Sequence, residues 1–447
     1  LPRHFAKLFI DLRKSKMKKK FTYLCAMAGV LCMFTSCKDD DKLPGESLET
    51  KTYTEADGLT LNLDNEAVTG QVVTFAPDAT AGSKGVITIA GAPLDLSAII
   101  GGMMSSRADN QPAFALPTSS IIPGSASVSF PVDLVGSADN CTFEGTATAD
   151  YCTFEYSGNV TKETMSLNIS KIALKNTSMA GTYAFPELYE DDGWDGVEPK
   201  MDNIIRMNWQ STKGLPIDIW GSGVPTEYPA WFVLRMTVLQ LSFPDPSNPD
   251  GETVPSIVAL YNVLKSVTLG ADGSVTAKYV DTKDLTGTVI ESPKGFARYV
   301  VESDNTLRLY IDPAAIIKST VAMASKSSRA LDINALIEGL MTQVVPMLAN
   351  GIPVTYGQCI GEDFQPREDF NATSFYLGTD VLLPILKVLA PVLSDEDVVN
   401  MIIELAKSDE NMAGMADAFL PGILAGLPEV IETTSVIELG INLAKAE

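Results

Sequence analysis

Apolar residues alternate with polar ones in short runs along the first half of this chain, and that period of two dictates strands. Leu59-Thr-Leu-Asn-Leu63, Val72-Val-Thr-Phe75, Val86-Ile-Thr-Ile-Ala90, Val128-Ser-Phe-Pro-Val-Asp-Leu134 and Met165-Ser-Leu-Asn-Ile169 each place their large apolar side chains on one face of an extended backbone. Clusters of Asp, Gly, Asn and Ser separate the runs, which is turn chemistry. Roughly eight short strands at this spacing between Lys51 and Lys175 predict a barrel or a sandwich. One interruption, Asp95–Met104, has a helical pattern, and a flexible stretch, Ser105–Pro117, follows it.

A second domain is expected from Met179, opening with Gly181-Thr-Tyr183. Its longest strand candidate is Trp231–Phe243. Two hairpins come next, 267–269 with 274–279 and 297–301 with 307–311. The apolar period then changes, and 330–350, 377–393, 395–407 and 411–431 read as helices. Ser394-Asp-Glu-Asp397 supplies an N-cap and acidic residues for a first turn. A last strand is expected over Ser435–Leu443. The predicted fold class is therefore mainly β with α additions (α+β). It has two barrel- or sandwich-like domains, 51–178 and 179–447, the second with a helical insertion over 314–433 before its last strand. Fragments also recur in the same order in both halves, such as Asp95-Leu-Ser-Ala-Ile-Ile100 and Asp312-Pro-Ala-Ala-Ile-Ile317, or Ser105-Ser-Arg-Ala108 and Ser327-Ser-Arg-Ala330. Their order predicts a tandem duplication with matching strand orders in the two halves.

The N-terminal region carries an address. Lys18, Lys19 and Lys20 precede the short apolar run Phe21–Phe34, which is too short to span a bilayer. Thr35-Ser36-Cys37 ends it with small residues before a cysteine. Residues 17–36 read as a signal peptide, residues 1–16 as sequence upstream of the natural start, and 37–50 as a tether. Removing residues 1–36 takes eight basic and one acidic residue from the chain's 33 and 56, which leaves a formal charge of −30. Such a body repels phosphate backbones, so nucleic acid is not an expected partner.

The only histidine, His4, lies in the upstream extension. A mature chain without histidine excludes Ser-His-Asp and Cys-His catalysis and histidine metal sites. No GxSxG and no CxxC occurs, so no catalytic residue and no metal site is assigned. Cys141 and Cys152 begin near-copies, Cys-Thr-Phe-Glu-Gly and Cys-Thr-Phe-Glu-Tyr. A hairpin turning near 148–150 puts their sulfurs out of register, so both are expected as buried small residues rather than a disulfide.

Three features invite a binding role. Glu190-Asp-Asp-Gly-Trp-Asp-Gly196 brings Asp191, Asp192 and Asp195 around Trp194; such a loop is either a solvated turn or an oxygen cage for Ca²⁺. Trp194, Trp209, Trp220 and Trp231 fall close together, and an exposed indole stacks on sugar faces. Trp194 is the exposed candidate and Trp231 the core one. The apolar run Val381–Leu393, interrupted by Pro384 and Pro391, covers a barrel mouth, lines an apolar pocket, meets a partner or packs on its own sheet.

Thr35-Ser36-Cys37 resembles the lipobox of bacterial lipoproteins, and Lys38-Asp39-Asp40-Asp41 resembles the surface-export tag of Bacteroides-type lipoproteins. With the Gly181-Thr-Tyr opening and two strand-rich halves, the chain resembles the uncharacterised Bacteroides-type surface lipoproteins with tandem calycin-like domains. The resemblance implies lipid, a palmitate chain included, on Cys37. It also implies display on the outer face of the outer membrane, a membrane partner through that lipid, and no assigned activity. The expected function is non-catalytic binding of a glycan, a lipid-like molecule or a surface protein without a cofactor. The alternative is a carboxylate-dependent glycan hydrolase.

Overall fold

The alternating runs form strands whose inward residues are buried and whose outward residues are not. The computed structural model describes residues 42–95, 115–116, 118–191, 196–218, 223–245, 253–281, 287–312, 346–393, 395–407 and 419–446. Residues 44–447 make one compact unit. The described chain is mainly β, with an eight-stranded closed barrel, additional sheets and a few helices.

The first part builds two facing sheets. One has four strands in the order β1 (Lys51–Tyr53), β4 (Gln71–Pro77), β5 (Lys84–Gly91) and β6 (Ser127–Asp133). The other has six, in the order β3 (Glu66–Ala67), β2 (Leu59–Leu63), β10 (Met165–Leu174), β9 (Cys152–Thr161), β8 (Asn140–Thr148) and β7 (Val135–Gly136). In β6 Val128, Phe130 and Val132 are buried while the residues between them are exposed. Phe75, Ile87, Ile89, Phe154, Leu167 and Ile169 fill the space between the sheets. Each such side chain contributes about 1.5–3 kcal/mol by leaving water. Cys141 and Cys152 are free thiols, both fully buried. Cys141 lies opposite Val160 and Cys152 opposite Leu174, at opposite ends of the β8–β9 hairpin.

The second part is an up-and-down barrel. Its staves follow chain order: β11 (Gly181–Ala184), β13 (Leu264–Leu269), β14 (Ser274–Val280), β15 (Ala297–Ser303), β16 (Thr306–Ile311), β17 (Ile352–Gln358), β18 (Thr373–Leu377) and β19 (Thr434–Lys445). Every neighbouring pair is antiparallel, and Tyr183 and Ala184 of β11 close the ring on Lys445 and Ala444 of β19. Closure leaves these staves without a bare edge. A further strand, β12 (Ile205–Ser211), pairs with the outer length of β19.

Three expectations are corrected. Trp231–Phe243 is not a long strand: it forms α2 (Ala230–Gln240), preceded in the chain by the four-residue helix α1 (Met201–Ile204). The run is apolar without alternation, Pro229 sits at the N-cap position, and the helical spacing buries Ala230 and Val233 together. The span 314–433 is not purely helical, because β17 and β18 lie inside it as barrel staves. The duplication fails: the first part is two sheets, one of which pairs β2 with β10 in parallel, whereas the second is a closed antiparallel meander. Of the helix expected at Asp95–Met104 only Asp95 is described, and of the stretch Ser105–Pro117 only Ala115 and Leu116, where Leu94–Asp95 pairs antiparallel with Ala115–Leu116; the rest of both, and most of the helix expected at 330–350, fall outside the described residues.

Helix α3 (Ser256–Val263) packs beside α2, and α4 (Thr379–Leu393), α5 (Glu396–Lys407) and α6 (Leu420–Glu432) follow β18. The α4 face packs on β19 and α6, where Trp209, Val233, Val430 and Ile431 form a second apolar cluster. Among the described residues no helix is long and apolar enough to cross a membrane.

Candidate functional site

A cavity of about 720 Å³ opens where the sandwich meets the barrel wall. Its sandwich side is made by two departures from regular strand. Asp64 and Asn65, both with positive φ, form the two-residue turn between β2 and β3. In β10 a bulge places Lys171 at a φ of 51°, and Ile172 next to it lines the cavity. Lys171 donates its backbone N–H to Asp64 Oδ1 at 3.2 Å, which ties the two features together.

Gln71 holds the third wall. Its Nε2 donates to the Ser119 carbonyl at 3.2 Å, and its Oε1 accepts from the Ile121 N–H at 3.0 Å. That pins the loop whose Ile121 and Pro123 face the cavity. Pro123 in turn packs on Gly273, whose φ of 81° belongs to the β13–β14 turn; a Cβ there would come within 2.7 Å of the proline ring. Leu174 N–H donates to the Ala271 carbonyl at 3.0 Å, so a backbone bond also crosses the joint.

The barrel contributes the charged groups. Asp272 Oδ1 accepts from Ser274 N–H at 3.0 Å and from its hydroxyl at 2.6 Å, and Lys294 Nζ stands 3.7 Å from Oδ2. Burial pushes the Asp272 carboxyl up, but the Ser274 hydrogen bonds and the Lys294 charge together hold it below the usual carboxylate range. Arg298, on β15 opposite Ser274 and Tyr310, is 7% exposed. Its Nε has no hydrogen-bond partner. Burial pulls its pKa down to about 10 against the opposing pull of the Asp312 charge, so it stays a cation at neutral pH. Val300, two residues along β15, lies against Gly124 of the sandwich loop, so this face of β15 looks towards the sandwich. Phe296, 36% exposed, stands at the rim and accepts the Asp312 N–H with its carbonyl at 2.8 Å.

The arrangement is a mostly apolar hollow with one deep cation and carboxylates around it. Arg298 Nε, shielded from solvent and without a hydrogen-bond partner, is a cost that the wall bears rather than a donor open to the cavity. A site of this size and lining is the form in which proteins hold small molecules.

Comparison with protein-family models, with curated proteins and with solved structures found no match.

Cys37 and Lys38, Asp39, Asp40 and Asp41 fall outside the described residues, as do Asp192, Trp194, Asp195 and Trp220. Asp191 ends the short strand Tyr189–Asp191, which pairs with Val197–Pro199. Trp209 is buried, with Nε1 donating to Thr434 Oγ1 at 2.9 Å, and Trp231 packs edge-on against Phe232 and Phe364. Both described indoles therefore serve packing. Among the described residues no group of three or more His, Cys, Asp or Glu is placed to hold a metal ion.

Sequence reasoning passed over Arg298, Asp272 and Phe296. One signal was present. In Ala297-Arg-Tyr-Val-Val301 a cation interrupts an otherwise apolar strand, and alternation places it on the same face as Val300.

Proposed function

We propose that this chain is a surface-displayed outer-membrane lipoprotein that binds a small ligand without transforming it. Lipid on Cys37 would anchor it, with Lys38–Asp41 directing export to the outer face. The ligand site is the cavity between sandwich and barrel. What carries the binding reading is the cavity of about 720 Å³ itself, whose lining is mostly apolar with a few charged side chains, Asp272, Lys294 and Arg298 among them. The closed meander of β11 and β13–β19 supports a calycin-like reading of the second part, since up-and-down closure of eight strands is the architecture of that class. The two-sheet first part does not share it.

The hydrolase alternative finds no support at this site. A glycosidase needs a carboxyl with a raised pKa as general acid, and Asp272 is shifted the other way. The helical face that would dock a partner protein is instead packed on its own sheet through α4 and α6.

Two measurements test the reading. Mass spectrometry of the native protein should find an acylated N-terminal cysteine peptide beginning at Cys37; an unmodified terminus overturns the anchoring. Thermal shift of the full chain against small-molecule panels should find at least one ligand whose stabilisation grows with concentration, as linkage requires. A flat response to every panel overturns the binding role.

A further inference from the structure

We propose that the cavity takes an organic ammonium ion on an apolar body, with the charged head towards the sandwich wall and the body between that wall and Phe296. This rests on the reading of the cavity as a ligand site. The charges of the lining divide by wall. On the barrel side they balance: Lys294 stands 3.7 Å from Asp272, and the Asp312 charge opposes that of Arg298. The sandwich side contributes Glu55, Asp64 and Glu66, all three exposed, so their oxygens are open to a guest. Among the described residues no lysine or arginine forms an ion pair with any of them. Lys171, whose backbone N–H reaches Asp64, sends its ammonium to Glu155 at 2.9 Å instead. This wall therefore carries negative charge with no cation set against it, in a chain that is itself strongly acidic. Such a field draws a cationic guest and turns away a carboxylate or a phosphate.

The acidic and the apolar residues come from the same elements. Leu63 lies directly opposite Glu66 across the β2–β3 pair, Asp64 follows it in the turn, and Val68 comes two residues after Glu66. Ile172 joins the same wall beside the bulge that Asp64 holds. Leu63, Val68 and Ile172 are each partly exposed, so they offer apolar surface that a guest can cover. Glu55 is positioned by accepting the Gly70 N–H on Oε1 at 2.7 Å. A bare metal ion does not suit this wall, because a metal needs several ligands on one point. Among the described residues no three His, Cys, Asp or Glu are placed to supply them. An ammonium head needs no such cage: it answers a spread field, while the body it carries gains by leaving water. Phe296, exposed at the rim, gives that body a flat partner on the barrel side. Gly295 beside it has a φ of 97° and open space where a side chain would stand, so the ring is approachable from that side.

The test is titration calorimetry of the full chain in zwitterionic nanodiscs at neutral pH, with empty discs as the blank. Three probes share a naphthylethyl body and differ in the head: a primary amine, an alcohol and a carboxylate. Calcium chloride alone is a fourth arm. The amine should bind about tenfold tighter than the alcohol, and the carboxylate weakest of the three. Added salt should erase the advantage of the amine and leave the alcohol as it was, because exposed charges are screened. Glu66→Gln, an exposed change that breaks no ion pair, should weaken the amine about threefold and leave the alcohol unchanged. Phe296→Ala, a rim change that leaves the core intact, should weaken both about fivefold. An alcohol or carboxylate that binds as tightly as the amine overturns the cation assignment, and so does an amine preference that salt and Glu66→Gln leave intact. Saturable Ca²⁺ binding that Glu66→Gln removes overturns the organic head. In each of these cases a probe still weakened by Phe296→Ala leaves the cavity as the ligand site. Binding of no probe, or binding indifferent to Phe296→Ala, overturns both.

Discussion

At the scale of single residues, the barrel depends on one absent side chain. Gly440 of β19 lies where Phe375 O and Tyr376 of β18 come closer than any Cβ tolerates. Strand glycines of this kind mark a close approach of two backbones. Gly440→Ala should cost at least about 2 kcal/mol, because the β18–β19 ladder must part to admit a methyl group. The denaturation midpoint measures this, and an unchanged midpoint refutes the close approach. The buried thiols set a second residue-level expectation. Burial raises Cys152 and Cys359 from the ordinary 9.0 to about 11. A folded pKa above the unfolded one means that the unfolded chain loses its protons first. The stabilisation is therefore complete below pH 9 and is lost as pH rises from 9 to about 11. Buried tyrosines such as Tyr310, pushed up to about 12 by burial, extend the loss to higher pH. Cys152→Ala with Cys359→Ala should flatten the fall over that first window. If the pH slope of the double variant matches the parent, the thiols are not its source.

At the scale of elements, the α2 helix shows what the sequence revealed and what it hid. Arg235 reaches back from α2 to Asp202 in α1 with two contacts of 2.7 Å and across to Glu362 with a third. Both partners in the inner pair are mostly out of water, at 15% and 13% side-chain exposure. Arg235→Ala leaves Asp202 without its charge partner and should cost about 2–4 kcal/mol. A double-mutant cycle with Asp202→Asn should return a coupling above about 1 kcal/mol by urea titration; a coupling near zero removes this pair from the account of how α2 is held. Nothing in Trp231–Phe243 announced that partner, which stands some thirty residues upstream, and the apolar run was equally fit for a buried strand. Where a signal is local, the reading of the sequence holds. Alternation in Val128–Leu134 gave a strand, Gly181-Thr-Tyr183 opened the barrel, and the last strand fell within Thr434–Lys445. Topology was not local. Short repeated fragments do not report strand order, so a sandwich and a meander passed for copies. The candidate site was missed for the same reason. Gln71, Asp272 and Arg298 are far apart in sequence and meet only at the joint, and Arg298 alone carried a visible oddity, a cation in an apolar strand.

At the scale of the whole molecule, the sandwich and the barrel share one apolar core although no described strand of one pairs with the other. The cluster runs from Leu48 and Tyr53 through Ile121 and Ile122 to Tyr183, Tyr299 and Leu443. The Leu174–Ala271 backbone bond and the Pro123–Gly273 contact brace the same joint. A shared core couples the unfolding of its parts, so 44–447 should lose structure in one transition. The chain supplies a convenient test, because all four tryptophans lie between 194 and 231. Tryptophan fluorescence therefore follows the second part alone, while far-ultraviolet circular dichroism follows both. In urea the two signals should coincide. Gly273→Ala puts a side chain against Pro123 at a positive φ, and should loosen the joint enough to draw the two curves apart. Separate transitions in the parent would mean that the sandwich and barrel are independent bodies. A cavity between independent bodies would have no fixed shape, and the ligand site would lose its foundation. In a single transition a ligand bound anywhere on the folded chain shifts both signals together, so its place at the joint is tested by Phe296→Ala, which should reduce the shift that the ligand produces in the parent.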